Sequence, residues 1–440
     1  MTNYRKYICI LLLTLVTGLT MGQTNGSNSS YSRFGLGTLN DQSQGFNKAM
    51  GGIGQGFRAG NRVNMSNPAS YSAIDSLTFL FDVGMNVSMG NMKSGGTKIN
   101  VTNCSLDYVN MGFRVAKGVG VSAGFVPFST IGYKFSHESK ITNEYTTTQA
   151  ITTNSTYYGD GGLHQMYVGV GWNPFAKLSI GANVGYIWGN YNHQLIQTFS
   201  EGGSSSSSYS GLNSTHDAQI KTYKIDIGLQ YPIRIAKEDM LTLGLTAGIG
   251  HKIKSDATLT RYTSTGDSVQ VVAENAFDLP YTYGFGATWQ HGINLLVGAD
   301  YKYEQWSNCR VPEMSTVSGN LTYTPQKGSY LNRSKIAVGA QYVINPLVRS
   351  YISRIQWRMG ANYSTPYLVV NNQDGPKEFG LSLGAGLPIS NKINSGSMVN
   401  VSLQWMRRSP SVSKMITENY FAVNLGVTFN ENWFMKFKIK

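Results

Sequence analysis

The chain has 440 residues, a formal charge of +13 and only 13% charged residues, with 50 glycines and 27 tyrosines. That balance excludes a disordered chain and does not suit an ordinary soluble domain. Lys and Arg are scattered along strands and loops, with no basic helix and no basic low-complexity tail, so no nucleic-acid partner is expected.

Residues 1–22 read as a signal peptide. Arg5 and Lys6 precede the apolar run Ile8–Val16, and Thr20 and Gly22 are small residues ahead of a cut before Gln23. The run is shorter than the roughly 20 residues of a spanning helix. Residues 23–75 are rich in Gly, Asn and Ser, carry little strand pattern, and are too apolar in places for a tether.

Strand candidates then follow at close intervals: Ser76–Met89, Cys104–Val115, Val119–Phe135, Leu163–Trp172, Leu178–Tyr191, Ile220–Tyr231, Leu241–Lys254, Phe277–Gln290, Ile293–Trp306, Lys335–Ile344, Arg354–Tyr363, Phe379–Ile389, Met398–Arg407 and Tyr420–Phe429. Their period of two places Tyr223, Ile225, Ile227 and Leu229 on one face, and Lys224, Asp226 and Gly228 on the other. Apolar groups outward with charges and glycines inward, and turns alternating short and long, define an all-β transmembrane antiparallel barrel of about fourteen strands. Glu138–Gly162, Phe199–His216, Ala257–Ala276 and Ser307–Leu331 are expected as its long outer loops. The inward glycines leave space that residues 23–75 could fill as a plug.

Bacterial single-chain barrels have even strand numbers, so the barrel is taken as 76–429 and residues 430–440 as a periplasmic tail. The alternative makes Trp433–Ile439 the closing strand. Cys104 and Cys309 fall near the tops of strands two and nine, on nearly opposite sides, and are expected as free thiols.

Enzyme-like patterns do not hold up. Gly120-Val121-Ser122-Ala123-Gly124 matches a nucleophile elbow in letters, but its serine lies within a strand pattern. Gly51–Gly56 lacks the strand and helix of a phosphate loop, and no His or Cys cluster has metal spacing. No enzyme activity, cofactor or metal is expected.

Met50-Gly51-Gly52 and Asn67-Pro68-Ala69 ahead of the first strand resemble the FadL-like outer-membrane transporters of long-chain fatty acids and aromatic hydrocarbons. So do Gly124-Phe125-Val126-Pro127-Phe128, Leu279-Pro280, Asp300 through Trp306-Ser307, Thr365-Pro366 and the closing Gly426-Val427-Thr428-Phe429. The resemblance covers nearly all of the exported chain. It implies a fourteen-stranded barrel with an N-terminal hatch in the lumen, and passive uptake of hydrophobic small molecules with sideways exit at a kink in the third strand. Gly51, Gly52, Asn67, Pro68 and Ala69 would belong to the hatch passage, although the same residues also serve as turn elements. Phe125, Pro127 and Phe128 would form the lateral opening; mid-strand, Pro127 also suits an ordinary bulge. Tyr31–Leu36 and the tail lie outside the family pattern, and no basic residue matches a carboxylate clamp.

The expected location is therefore the Gram-negative outer membrane, and the expected partners are outer-membrane lipid and a hydrophobic small molecule. The alternative is a binding or assembly role with a periplasmic or outer-membrane protein partner, because some FadL-like barrels, such as the type IX secretion shuttle protein, carry protein cargo.

Overall fold

The computed structural model describes residues 28–431 apart from 95, 142–150, 176, 202–207, 264–265, 319, 390–395 and 411–414. The expected signal peptide, and residues 432–440 of the expected tail, lie outside the described residues.

Fourteen antiparallel strands form a closed barrel: β1 (Phe79–Ser94), β2 (Thr97–Ala116), β3 (Val119–Ile141), β4 (Ile151–Phe175), β5 (Leu178–Glu201), β6 (Ser208–Arg234), β7 (Asp239–Gly248), β8 (Thr282–His291), β9 (Leu295–Glu304), β10 (Arg333–Val343), β11 (Gln356–Ser364), β12 (Lys377–Pro388), β13 (Met398–Ser409) and β14 (Thr417–Glu431). β14 pairs back on β1 from Phe79–Glu431 to Lys93–Thr417, which closes the ring. Outward Phe421 and Val423 are exposed, while inward Tyr420, Asn424 and Thr428 are buried. An apolar outside around a polar inside inverts the logic of a water-soluble sheet and suits a lipid surround.

Three sequence expectations need correction. The last strand continues through Asn430 and Glu431, which pair with Leu80 and Phe79, so the barrel does not end at Phe429. The described residues of Glu138–Gly162 and Phe199–His216 are strand rather than loop, because β3 to β6 run for 23, 25, 24 and 27 residues. A barrel strand crosses a bilayer in about 9–11 residues, so their upper halves rise beyond it as a wall. With neither face against lipid, those halves are rich in Thr, Ser, Asn and Tyr and lose the alternation that marks a strand. Finally, Ala257–Ala276 contains the hairpin Ala257–Thr263/Ser268–Ala273, which extends this wall from β6. Ser307–Leu331 holds a second hairpin, Val311–Val317/Asn320–Gln326. Tyr31, Leu36, Phe128, Leu259, Trp306, Tyr323 and Tyr330 bury a shared apolar core at this long-loop end.

Residues 28–78 precede the barrel as 3-10 turns at Ser30–Arg33 and Pro68–Ala73, the short strand Thr38–Leu39 and the one-turn helix Gly45–Lys48. Phe46, Met50 and Ile53 are fully buried and cluster with Leu296 of β9 and Ala337 of β10. Glycines on the strands make this approach possible. A Cβ on Gly244 would stand 1.9 Å from the Gln55 carbonyl oxygen, and one on Gly360 2.1 Å from the Gly51 nitrogen. The glycine-rich inward face is therefore the imprint of the segment lying against it.

Candidate functional site

The residues expected to form a hatch passage are joints between this segment and the strands. Gly51 and Gly52 adopt φ of +67° and +86°, where a side chain would be strained. Gly51 N donates to Ser382 Oγ at 3.0 Å, and Asn362 Nδ2 donates to Gly51 O at 3.3 Å. Asn67 caps the Pro68–Ala73 turn by accepting from Ala69 N at 3.1 Å. Its amide also donates to Gln55 O at 2.9 Å and to Leu229 O of β6 at 3.0 Å. Asn67 and Ala69 are fully buried, and Pro68 sits where a Cβ on Gly181 would strike it at 2.4 Å.

Asp300 of β9 takes the Gly54 and Gln55 amides at 2.6 and 2.9 Å. Lys48 Nζ reaches Asp107 of β2 at 2.5 Å, and Tyr108 OH accepts from Gly45 N at 2.7 Å. Burial opposes the charge on Asp41, but Lys335 and Lys48 hold its carboxyl below the usual range. Burial pushes the Arg62 guanidinium down to about 10, with Asp82 pulling the other way.

The residues expected to form a lateral opening lie at an interruption of the wall. β1 pairs with β2 along its full length, from Phe79–Phe113 to Ser94–Thr97. With β3, β2 pairs only from Ala116–Val119 to Val109–Phe125. Beyond that pair the two strands part, leaving an unzipped seam. Each strand carries an irregularity there. In β2, Gly84 faces Tyr108 and Met85 faces Leu106, so Asp107 is an extra residue. In β3, Pro127 faces His164 and Ser129 faces Leu163, so Phe128 is extra. Bulges bend and twist a strand, and proline offers no N–H to a neighbour. Phe125 stacks on His164, with ring centres 5.6 Å apart. Phe128 turns into the apolar core with Tyr31 and Leu36.

The freed edge of β3 is taken by the N-terminal segment. Thr38 and Leu39 pair with Thr130 and Ser129, and Asn40 N donates to Phe128 O at 3.0 Å. A cavity of about 940 Å³ reaches the seam, lined there by Cys104, Leu106, Phe125, Pro127, Phe128 and Leu39. Elsewhere its lining is mixed, with apolar Ile249, Leu279, Trp306, Leu381 and Trp405 beside charges that include the pairs Lys335 with Asp41, Lys302 with Glu304, and Arg333 and Arg408 both with Glu378.

Nothing in the sequence signalled the Thr38–Leu39 pairing or the Asp107 bulge, since both depend on where β2 and β3 separate. Both cysteines of the barrel region are free, Cys104 exposed and Cys309 buried. Ser122 of the elbow-like motif is buried within β3 and lies 3.2 Å from Tyr167 OH. Among the described residues no three His, Cys, Asp or Glu gather as a metal site would need.

A closed fourteen-stranded barrel with its N-terminal segment against the inner wall defines the FadL-like fold, and solved structures agree. A Pseudomonas aeruginosa FadL homologue superposes with a TM-score of 0.59 at 12% identity, over 90% of this chain and 99% of that one. The Pseudomonas putida toluene transporter TodX gives 0.57 at 15%, over 90% and 100%. The Ralstonia pickettii toluene transporter TbuX gives 0.57 at 16%, over 90% and 98%. No curated protein matches the sequence. The BamG family matches residues 4–440, and the chain belongs to that family.

Proposed function

We propose that the protein is an outer-membrane channel, exported by a signal peptide at residues 1–22, with residues 23–75 serving as a hatch in the lumen. A small hydrophobic or amphipathic molecule would leave it sideways at the seam, through Phe125, Pro127 and Phe128, into outer-membrane lipid. The observation that carries this reading is the parting of β2 from β3 beyond Val109–Phe125, with a cavity reaching the gap. Unpaired backbone against lipid is costly, so a barrel keeps an open seam only where something occupies or crosses it. The apolar lining at that point, from Leu106, Phe125, Pro127 and Phe128, suits an apolar body leaving while a polar end stays among the lumen's charges.

The test is uptake of a fluorescent long-chain fatty acid by cells carrying the protein or Pro127→Val. Lower uptake by the variant, at equal amounts of folded barrel, supports transport. Equal uptake, where amide exchange shows that the substitution has extended the β2–β3 ladder, defeats it.

A second reading, a binding or assembly component for a protein partner, is favoured by the apolar core over the long-loop end and by the tall wall of β3 to β6. Under it, a stoichiometric protein partner would co-purify from gently extracted membranes, and a defined small ligand would not.

A further inference from the structure

At the short-turn end of the lumen, two guanidinium groups meet without an acid between them. Arg62 belongs to the N-terminal segment and Arg358 to β11, and they are only 8% and 3% exposed. Arg358 donates to Gln341 Oε1 at 2.9 Å, Asn400 Oδ1 at 2.6 Å and Gln356 Oε1 at 2.5 Å. Arg62 Nη2 donates to the same Gln356 oxygen, and both arginines touch Met398 Sδ. Arg62 Nη1 is buried with no hydrogen-bond partner. Among the described residues, ion pairs join other arginines to acids, such as Arg333 and Arg408 to Glu378, but none reaches these two. The acid whose charge Arg62 feels, Asp82, is already held by Tyr108 OH at 3.0 Å and Thr428 at 3.2 Å.

Burying a charge is expensive unless it is paired, and two like charges around one neutral oxygen are worse than one. The guanidinium fork is shaped for the two oxygens of a carboxylate or phosphate. Here two forks converge on one amide oxygen, and an orphan N–H remains beside it. Gly386 lines the same spot: a Cβ there would stand 2.8 Å from Arg358 Nη2 and 2.5 Å from Met398 Sδ.

We propose that Arg62 and Arg358 form a site for an oxyanion, a carboxylate or phosphate group, that displaces the Gln356 side-chain oxygen from between them. Gln341 and Asn400 hold Arg358 in place to receive it. Because one arginine belongs to the segment and the other to the wall, the bound anion ties the two together. Occupancy stabilises the seated segment, and unseating the segment releases the anion. The inference does not rest on transport, since it concerns what binds and not what passes.

The test uses the full exported chain in a neutral detergent, titrated calorimetrically with inorganic phosphate and separately with laurate below its micellar concentration. Wild type, Arg62→Gln and Arg358→Gln are compared, with the heat-dependent gel shift showing that each barrel is folded. Expected is saturable binding of at least one probe to wild type, weakened at least tenfold in Arg62→Gln. Binding of phosphate identifies a free anion or headgroup as sufficient; binding of laurate alone identifies an amphiphile's carboxylate. Arg62→Lys, which keeps the charge without the fork, recovers part of the affinity. If neither probe binds wild type, or if Arg62→Gln and Arg358→Gln bind as wild type does, the proposal is overturned.

Discussion

Val109 and Phe125 are the last pair across the boundary between β2 and β3. Two residues further along β3 stands Pro127, with an extra residue immediately after it. On β2 the extra residue, Asp107, lies two positions beyond Val109. The strands part where both are irregular, and this coincidence locates the seam more firmly than either irregularity alone.

Replacing Pro127 with valine restores an N–H and a β-branched side chain. If the proline holds the seam open, the variant extends the β2–β3 ladder beyond Phe125 and stabilises the barrel by about 0.5–1.5 kcal/mol for each new hydrogen bond. The check is amide exchange at residues 101–108, which slows in Pro127→Val. Unchanged exchange there means the seam is set by the N-terminal segment and not by the proline.

Leu39 and Ser129 face each other across the short pairing that covers the β3 edge. Antiparallel partners lie about 4.5–5.5 Å apart at Cα, within the span of a disulfide. With Cys104 and Cys309 changed to serine, Leu39→Cys with Ser129→Cys is expected to cross-link under mild oxidation, leaving the gel shift of the folded barrel intact. If leaving the lumen requires Thr38–Leu39 to lift, cross-linking slows uptake of the fatty-acid probe and reductant restores it. Uptake indifferent to the cross-link means that the route avoids this edge.

Strand order, strand number and facing were legible in the sequence because lipid outside and polar groups inside impose alternation on every membrane-crossing segment. Tyr223, Ile227 and Leu229 are exposed as that pattern requires. The tall wall was not legible because its upper halves are free of that constraint. The N-terminal segment was legible only as an absence of pattern joined to an excess of inward glycines. Which glycine meets which residue, as Gly244 meets Gln55, depends on a fit between distant stretches that no local pattern encodes. The buried Arg62 and Arg358 were missed for the same reason: each alone resembles any scattered basic residue, and only the fold brings them together.

Asp300 holds the segment through two backbone amides, Gly54 N and Gln55 N. Hydrogen bonds to a charged acceptor are worth about 1.5–3 kcal/mol each. Asp300→Ala therefore loosens the segment locally while leaving the ring of strands closed. Amide exchange at Gly54 and Gln55 is expected to speed up by at least tenfold, with the gel shift of the folded barrel unchanged. Protection equal to wild type would show that burial of Phe46, Met50 and Ile53 seats the segment without help from this carboxylate.

Arg62 is a buried cation whose Nη1 has no hydrogen-bond partner. Burial lowers its guanidinium to about 10, below the ordinary arginine value. The folded protein therefore carries the cation at a cost throughout the neutral range, and the cost is relieved only as pH rises through about 10. An uncharged replacement of similar length should remove that cost, since Gln356 keeps its bond from Arg358. In anion-free buffer at neutral pH, Arg62→Met is expected to raise the stability of the folded barrel by about 1 kcal/mol or more. The advantage should shrink above pH 10 and reverse when a saturating oxyanion stabilises the wild type alone. Denaturant titrations at pH 7 and pH 10.5, with and without phosphate, measure all three effects. A variant less stable than wild type in anion-free buffer would mean that Arg62 is already compensated in the empty protein.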